Sequence, residues 1–334
     1  MMRAAVIDGP HSASVVSLAR PERGPGEVLI AVDYVGLCGT DLELLHGTSP
    51  YIADGRVTYP HRFGHEWVGT VRSCCPSVPD LQEGEVVTGS TMIHCQSCRS
   101  CASGRRNLCT SLKEVGLYGW PGAASELLTM PRHTLVSLGR PPGGAQPAHV
   151  LIEPLVTVLE AVRHAELSPR DRVLVIGAGT IGGLAVAVLS GYPVTVDVVE
   201  PGSIAHLAPG SFRHHFPTAD DATGRYDVVF ECSGAPGALG AAITHLRPGG
   251  QCLLVGVSAY PEQVDPGLIA LDGIRITGVR HGVDHYPQAV AMFADLAGTL
   301  GGFIDEVIPL TEVKRAFHSL AHRGSRPKVV IGLG

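Results

Sequence analysis

The stretch RVLVIGAGTIGG, from Arg172 to Gly183, decides how the second half of the chain folds. An apolar run typical of a buried strand leads into Gly177-x-Gly179-x-x-Gly182, and an apolar helix follows. The first glycine permits a tight turn, the second lets the backbone approach a pyrophosphate, and the third lets helix and strand pack closely. The helix N-terminus supplies a positive dipole end. The pattern predicts a dinucleotide-binding turn.

The residues after this turn predict a parallel sheet and NAD as the cofactor. Further apolar strands alternate with helices, which indicates a sheet covered on both faces. They are predicted at VTVDVVE, YDVVFECSG, QCLLVGV and IRITGVR. The first of them ends in Glu200, where a carboxylate accepts ribose hydroxyls and repels a 2′-phosphate. Asp197 is the alternative, because Pro201 and Pro209 interrupt the second helix. The residues expected to bind the cofactor are Gly177, Gly179, Thr180, Ile181, Gly182, Glu200, Cys232 and Val255.

The sequence before the boundary near residue 147 has a different pattern, which predicts short strands separated by glycine and proline. RAAVID, EVLIAVDYVG, EWVGTV and GEVVTGST have this character, and long helical periodicity is nearly absent. A stretch rich in proline and glycine, from Leu138 to Val150, then indicates a domain boundary. We expect an irregular β-rich domain before it.

Composition and charge exclude several classes of function. The 334 residues carry a net charge of −6 with scattered basic residues, so we expect no nucleic-acid partner. No apolar run is long enough for a membrane helix, and the N-terminus lacks a signal-peptide pattern. We therefore expect a cytoplasmic protein without a membrane partner. In a reducing compartment, clustered cysteines are more often metal ligands than disulfides.

Four of the nine cysteines lie close together in HCQSCRSCASGRRNLC, at Cys95, Cys98, Cys101 and Cys109. Four thiolates fill a tetrahedral zinc shell and leave no position for substrate, so this spacing predicts a structural zinc site. Iron–sulfur ligation and free thiols are the alternatives. A ferredoxin-type run usually has proline after its last cysteine, whereas Thr110 follows here.

A second, scattered set could hold a metal with an open position. Cys38 lies on a glycine-flanked turn, His65 and Glu66 follow in FGHEWVGTV, and Glu153 stands in LIEPLVT. Taken singly, Cys38 and His65 are ordinary buried residues and Glu66 an ordinary surface one. Together, a thiolate, an imidazole and carboxylates predict a catalytic zinc site that keeps a place for water or substrate.

These motifs together resemble the zinc-dependent medium-chain dehydrogenase/reductase family, which includes alcohol, sorbitol and threonine dehydrogenases. The resemblance covers nearly the whole chain. Its motifs are Cys-Gly-Thr-Asp at Cys38–Asp41, Gly-His-Glu at Gly64–Glu66, the four-cysteine stretch, Glu153–Pro154 and the glycine-rich turn. It implies an α/β protein with a GroES-like irregular β-barrel catalytic domain at 1–147 and 284–334. That domain would carry the structural zinc lobe at 94–110. A Rossmann NAD-binding domain is expected at 148–283.

The resemblance also implies roles for individual residues. Cys38 and His65 would bind the catalytic zinc, with Glu66 and Glu153 as direct or exchangeable ligands. Thr40 would accept the substrate proton. Many members have histidine where Glu43 stands, so Glu43, the nearby His46 or water would carry the proton onward.

Glu153 resembles the polyol, sugar and threonine branch, because many alcohol dehydrogenases have cysteine at that position. We expect two zinc ions per subunit and NAD-dependent oxidation of a secondary alcohol of a polyol, sugar or aminocyclitol. A threonine- or butanediol-type dehydrogenase is the alternative, and a non-catalytic nucleotide-binding protein is the alternative of another class. The resemblance also implies that the strand IRITGVR, at Ile274–Arg280, lies at a sheet edge and pairs with a second subunit. An apolar edge strand must be paired or protected, so we expect a homodimer or homotetramer.

Overall fold

The computed structural model describes residues 1–74, 78–258, 261–322 and 324–334. Its strands are β1 (Met2–Gly9), β2 (Ser12–Leu18), β3 (Glu27–Gly36), β4 (Glu66–Cys74), β5 (Val86–Gly89), β6 (Met92–Ile93), β7 (Lys113–Val115), β8 (Gly119–Trp120), β9 (Leu127–Pro131), β10 (Leu135–Gly139), β11 (Arg172–Ile176), β12 (Thr195–Val199), β13 (His214–Phe216), β14 (Tyr226–Glu231), β15 (Leu246–Leu254), β16 (Arg275–Gly278), β17 (Ile304–Pro309) and β18 (Lys328–Gly332). Its α-helices are α1 (Gly39–His46), α2 (Pro50–Ala53), α3 (Arg99–Ala102), α4 (Ile152–His164), α5 (Thr180–Leu189), α6 (Ala238–His245), α7 (Pro266–Leu271), α8 (Tyr286–Leu300) and α9 (Val313–Ala321).

The chain divides into two compact units. The first unit comprises Met1–Glu153, Tyr286–Gly324 and Lys328–Gly334, and the second comprises Pro154–His285 and Ser325–Pro327. The division expected at 147/148 and 283/284 lies a few residues before these junctions. Among the described residues, no helix is long and apolar enough to cross a membrane.

The first unit is built on a mostly antiparallel sheet in the order β10-β5-β4-β3-β18-β17, with β9 also pairing with β3. Its core contains Phe63, Trp67 and Phe317, all almost fully buried. The apolar residues of β3 and β4 were predicted as strands and face this core. The unit has the GroES-like fold that the family resemblance implies.

Strand register in this sheet brings distant parts of the sequence to one place. Gly36 at the end of β3 pairs with Glu66 at the start of β4, in antiparallel register. The chain therefore leaves β3 and enters β4 at the same end of the sheet, which places Cys38 beside His65. On the other side of β3, Val330 of β18 pairs with Gly36 as well, so Lys328 reaches the same end.

The second unit contains a fully parallel six-stranded sheet in the order β13-β12-β11-β14-β15-β16. Counted within the unit, the order is 3-2-1-4-5-6, that of the Rossmann fold. The chain therefore has an α/β fold with a GroES-like unit and a Rossmann unit. The strand β16, which contains most of the predicted IRITGVR, lies at the edge as expected.

Two features of the second unit differ from the sequence prediction. The short strand β13 was missed, because its residues His214–Phe216 carry no apolar run. Asp197 is not a substitute for Glu200: its buried carboxylate accepts hydrogen bonds from Arg213 and from the hydroxyl of Tyr226. Its carboxylate is therefore already occupied by partners within the unit.

Candidate active site

Cys38 and His65 lie side by side at the end of β3 and the start of β4. The Sγ of Cys38 is 3.1 Å from Nε2 of His65. Asp41, in the first turn of α1, accepts a hydrogen bond of 3.0 Å from the backbone N–H of Cys38. Its other oxygen lies 3.8 Å from Nδ1 of His65. Asp41 therefore fixes the turn that carries the cysteine and faces the ring of the histidine.

The two predicted glutamates reach the same cluster, each with a different buried partner. Both oxygens of Glu66 accept hydrogen bonds from the ammonium of Lys328, at 2.8 and 2.6 Å, and the lysine also donates to the carbonyl oxygen of Leu37. Glu153 accepts a hydrogen bond of 2.7 Å from the hydroxyl of Thr91. The ligand atoms of His65, Glu66 and Glu153 all lie within 4.8 Å of one another.

The electrostatics of this cluster favour a cation. Burial lowers the pKa of His65, but the negative charges of Cys38 and Asp41 more than offset it, so the pKa is raised well above its ordinary value. Burial raises the pKa of Glu66, and Glu153 adds to the rise while Lys328 opposes it. Anionic groups thus crowd a buried space. A thiolate, an imidazole and carboxylates are also the donors that zinc takes in catalytic sites, so the residues present fit that metal.

The three residues expected to move a proton lie on α1. Thr40 is in its first turn, two positions after Cys38, and Glu43 follows one turn later. Burial raises the pKa of the Glu43 carboxyl. His46 ends the helix and is exposed, with its ring 5.0 Å from that of His11. The helix therefore presents Glu43 in a half-buried position and His46 at the surface.

The four clustered cysteines converge in a separate lobe of the first unit. Sγ–Sγ distances are 4.0 Å for Cys95 and Cys101, 3.6 Å for Cys98 and Cys101, and 3.8 Å for Cys98 and Cys109. Disulfides need about 2 Å, whereas a tetrahedral zinc shell with bonds of about 2.3 Å separates its sulfurs by roughly 3.8 Å. Backbone N–H groups of Cys101 and Thr110 lower the pKa of Cys98 to about 5, which favours the thiolate. The geometry fits a closed four-thiolate zinc site.

The glycine motif forms the expected turn at the end of β11. Gly177 has φ +86, a left-handed conformation that favours glycine, and a Cβ on Gly182 would collide with the carbonyl oxygen of Gly177. Gly179 is the N-cap of α5, so Thr180 and Ile181 stand in its first turn. This is the arrangement that lets a pyrophosphate approach a helix N-terminus.

Glu200 lies against this turn. One of its oxygens accepts a hydrogen bond of 2.7 Å from the backbone N–H of Ala178, and the other accepts one of 2.8 Å from Gly202. Cys232 and Val255 follow the ends of neighbouring strands, where the carbonyl oxygen of Glu231 accepts the N–H of Val255. The predicted cofactor residues therefore all lie at the carboxyl ends of the sheet, where open α/β sheets bind ligands.

Cys38, His65, Glu66 and Glu153 together are called the first cluster. Four residues in or beside it were given no role in the sequence analysis: Asp41, Thr91, Tyr286 and Lys328. The three-residue spacing of Cys38 and Asp41 is that of a helix cap, which could have indicated the aspartate. The others carry no local signal. Lys328 contacts Glu66 across 262 positions, and the hydroxyl of Tyr286 accepts the N–H of Thr91 across 195.

Comparison with known proteins agrees with this geometry. The family model described as "Alcohol dehydrogenase GroES-like domain" matches residues 24–140, and that of "Zinc-binding dehydrogenase" matches residues 217–295. The chain is 31% identical to L-galactonate-5-dehydrogenase of Escherichia coli K12 over 71% of each chain. It is 29% identical to L-threonine 3-dehydrogenase of Mesorhizobium japonicum over 93% of this chain and 92% of the relative. A crystal structure assigned as a zinc-binding dehydrogenase of Sinorhizobium meliloti 1021, bound to NADP, superposes with a TM-score of 0.89 at 26% identity, covering 100% of this chain and 99% of the other.

Proposed function

The chain belongs to the zinc-type medium-chain dehydrogenase family, and from that premise we propose that it oxidises a secondary alcohol of a polyol, sugar or aminocyclitol with NAD. The observation that carries the proposal is the position of Glu153. Its carboxylate lies with the imidazole of His65 and the carboxylate of Glu66 in one buried donor cluster. Many alcohol dehydrogenases have cysteine at the position of Glu153. A relative that acts on a polyhydroxy acid, L-galactonate, supports the same substrate class.

In this proposal the first cluster holds the catalytic zinc through Cys38, His65, Glu66 and Glu153. Bound zinc would make a substrate hydroxyl more acidic, and NAD would accept the hydride. Thr40 would accept the hydroxyl proton from its position in the first turn of α1. Glu43, a half-buried carboxyl whose pKa burial raises, would pass it onward. The exposed position of His46 favours Glu43 for this step.

The four-cysteine lobe would hold a second, structural zinc, and Glu200 would favour NAD over NADP. The Glu200 carboxylate lies at the nucleotide turn, where a 2′-phosphate would meet its negative charge. We also propose a homodimer or homotetramer. The edge strand β16 carries Ile276, which is 37% exposed, and Leu271 just before it is 89% exposed. Light scattering on the purified protein tests the assembly.

The decisive experiment is a substrate panel with zinc-loaded protein. Polyols, sugars, sugar acids and aminocyclitols would be offered with NAD⁺, and again with NADP⁺, while reduction of the cofactor is followed by absorbance. We expect turnover of a polyhydroxylated substrate, with a lower KM for NAD. Absence of turnover on every hydroxyl compound, with both sites filled, would exclude the proposal.

The alternative within enzymes is oxidation of small secondary alcohols such as threonine or 2,3-butanediol, which the similarity to a threonine 3-dehydrogenase supports. The same panel separates the two, because one class of substrate gives the higher kcat/KM. A non-catalytic nucleotide-binding protein would retain only the zinc of the four-cysteine lobe. Metal analysis distinguishes it: two zinc ions per chain support an enzyme and one supports the non-catalytic protein.

A further inference from the structure

Thr91 touches three separate parts of the first cluster although it is not itself a metal ligand. It is buried between β5 and β6. Its hydroxyl lies 2.7 Å from Oε1 of Glu153 and 3.3 Å from the carbonyl oxygen of His65. Its backbone N–H donates to the hydroxyl of Tyr286 at 3.3 Å. One small residue therefore contacts a carboxylate, the backbone of a histidine and a phenol of the same site.

The hydroxyl of Thr91 has one proton and two acceptors within reach. The contact with Glu153 is the shorter one, and a charged acceptor forms the stronger hydrogen bond. The hydroxyl of Thr91 therefore donates its hydrogen bond mainly to the carboxylate of Glu153, and the carbonyl oxygen of His65 is the weaker, more distant acceptor.

A hydrogen-bond donor stabilises the charge of Glu153 beside a second carboxylate. The carboxylates of Glu153 and Glu66 approach each other in a buried space, and like charges there repel. Glu66 is held by Lys328, which donates to both of its oxygens. The hydrogen bond from Thr91 stabilises the carboxylate of Glu153, as the bonds from Lys328 stabilise that of Glu66.

Tyr286 supports the threonine from the other side. It begins α8, is almost fully buried, and accepts the N–H of Thr91. A second backbone contact, from the N–H of Val115 to the carbonyl oxygen of Thr91, fixes the same residue at 2.9 Å. The threonine is thus held at its N–H and its carbonyl, which leaves its hydroxyl in a defined position.

We propose that Thr91 is a positioning residue that orients Glu153 toward the catalytic metal, and that Tyr286 holds Thr91 in place. The proposal rests on the zinc site of the proposed function. Removing the hydroxyl frees the Glu153 carboxylate to rotate away from the cluster and lowers the affinity of this site for zinc. Partners of this kind change metal affinity by about tenfold to a hundredfold.

The test is a zinc titration of Thr91→Val, which keeps the shape of the side chain and removes the hydroxyl. Metal content per chain would be measured against free zinc set by a chelator. One of two sites should need about tenfold to a hundredfold more free zinc, while the four-cysteine site fills as in the wild type. Excess zinc should restore most of kcat, and cobalt bound at the affected site should show shifted visible absorption bands.

Thr88→Val is the matched control. Thr88 is a fully buried threonine on β5 whose hydroxyl donates to the carbonyl oxygen of Trp67 at 2.7 Å, so the variant loses a similar hydrogen bond without touching Glu153. Its zinc titration should match the wild type. Thr91→Ser, which keeps the hydroxyl, should also match. If Thr91→Val does not fold, Tyr286→Phe is tested in its place. We expect it to raise the free zinc needed to fill the site by a smaller factor.

The outcomes separate this inference from the proposed function. Wild-type protein that fills only the four-cysteine site overturns the proposed function and this inference with it. Wild-type protein that fills both sites, with Thr91→Val or its substitute Tyr286→Phe filling them equally well, overturns the role of Thr91 alone. A loss of zinc affinity that Thr88→Val shares also overturns it, because the effect would then come from packing.

Discussion

The first unit contains two clusters of side chains suited to hold a metal ion, and they are built in opposite ways. The four-cysteine lobe takes all its ligands from residues 95–109, uses one residue type, and orients them with nearby backbone N–H groups. The first cluster, called the mixed cluster because its residue types differ, takes Cys38 from the start of α1, the adjacent His65 and Glu66 from the start of β4, and Glu153 from α4. It depends on buried partners such as Lys328. The four-cysteine lobe can form from a short loop, whereas the mixed cluster requires the completed sheet.

This difference suits the two clusters to different functions, one structural and one catalytic. Four thiolates close the coordination shell, so a metal there can stabilise a loop but cannot bind substrate. The mixed cluster has several kinds of donor, a surplus of negative charge and, beside it, helix α1 with the residues proposed to move a proton. A variant in one cluster should therefore change a property that its counterpart in the other cluster leaves alone.

Cys38→Ser should have the largest effect and should fall on turnover alone. If Cys38 binds the catalytic zinc as proposed, its loss removes several kcal/mol of transition-state stabilisation, so we expect kcat/KM to fall at least about a thousandfold. Zinc content should fall by one per chain while the thermal unfolding midpoint stays near that of the wild type. A variant that keeps wild-type turnover would exclude Cys38 as a ligand.

Lys328→Met should remove the positive charge that pairs with Glu66 in the mixed cluster. Removing one member of a buried ion pair leaves the Glu66 charge uncompensated and costs about 3 kcal/mol of unfolding free energy. Urea denaturation measures it, and the double variant with Glu66→Gln should recover most of the loss. A loss below about 1 kcal/mol would indicate that the metal, and not the lysine, compensates Glu66.

Cys109→Ser should act on stability before chemistry, in contrast to Cys38→Ser. If the lobe folds around a structural zinc as proposed, losing one thiolate should lower the unfolding midpoint by about 5 °C and weaken assembly. Turnover per folded chain should change little. Cys74→Ser, a cysteine outside both clusters, is the control and should leave both properties unchanged. A stable Cys109→Ser protein without turnover would contradict the structural role.

Glu200→Gln should have the smallest effect of the four variants, and it should leave zinc binding at both clusters unchanged. The substitution keeps the hydrogen-bonding shape near Ala178 but removes the charge that would repel a 2′-phosphate. We expect the preference for NAD over NADP, measured as a ratio of kcat/KM values, to fall about tenfold, which is roughly 1.4 kcal/mol. Zinc content should stay at the wild-type value. An unchanged ratio would show that other residues set cofactor choice.

Several features followed from the sequence because they are local. The glycine motif needs only a strand, a turn and a helix that are consecutive in the chain, and Gly177 to Gly182 form them. The four cysteines lie within one loop, so their spacing alone indicated a common centre. The apolar strands of the second unit are read from runs of five or six residues, which explains why the polar β13 was missed.

Tertiary structure alone decided how the mixed cluster is held together. Sequence motifs predicted Cys38, His65, Glu66 and Glu153 as its ligands, but the register of β3 against β4 and β18 brings Lys328 to Glu66. It is likewise the fold that places Thr91 and Tyr286 beside Glu153. A hydrogen bond or ion pair between residues hundreds of positions apart leaves no periodicity in the chain. Its physical cause, the burial of charges that must be compensated, exists only once the sheet has formed.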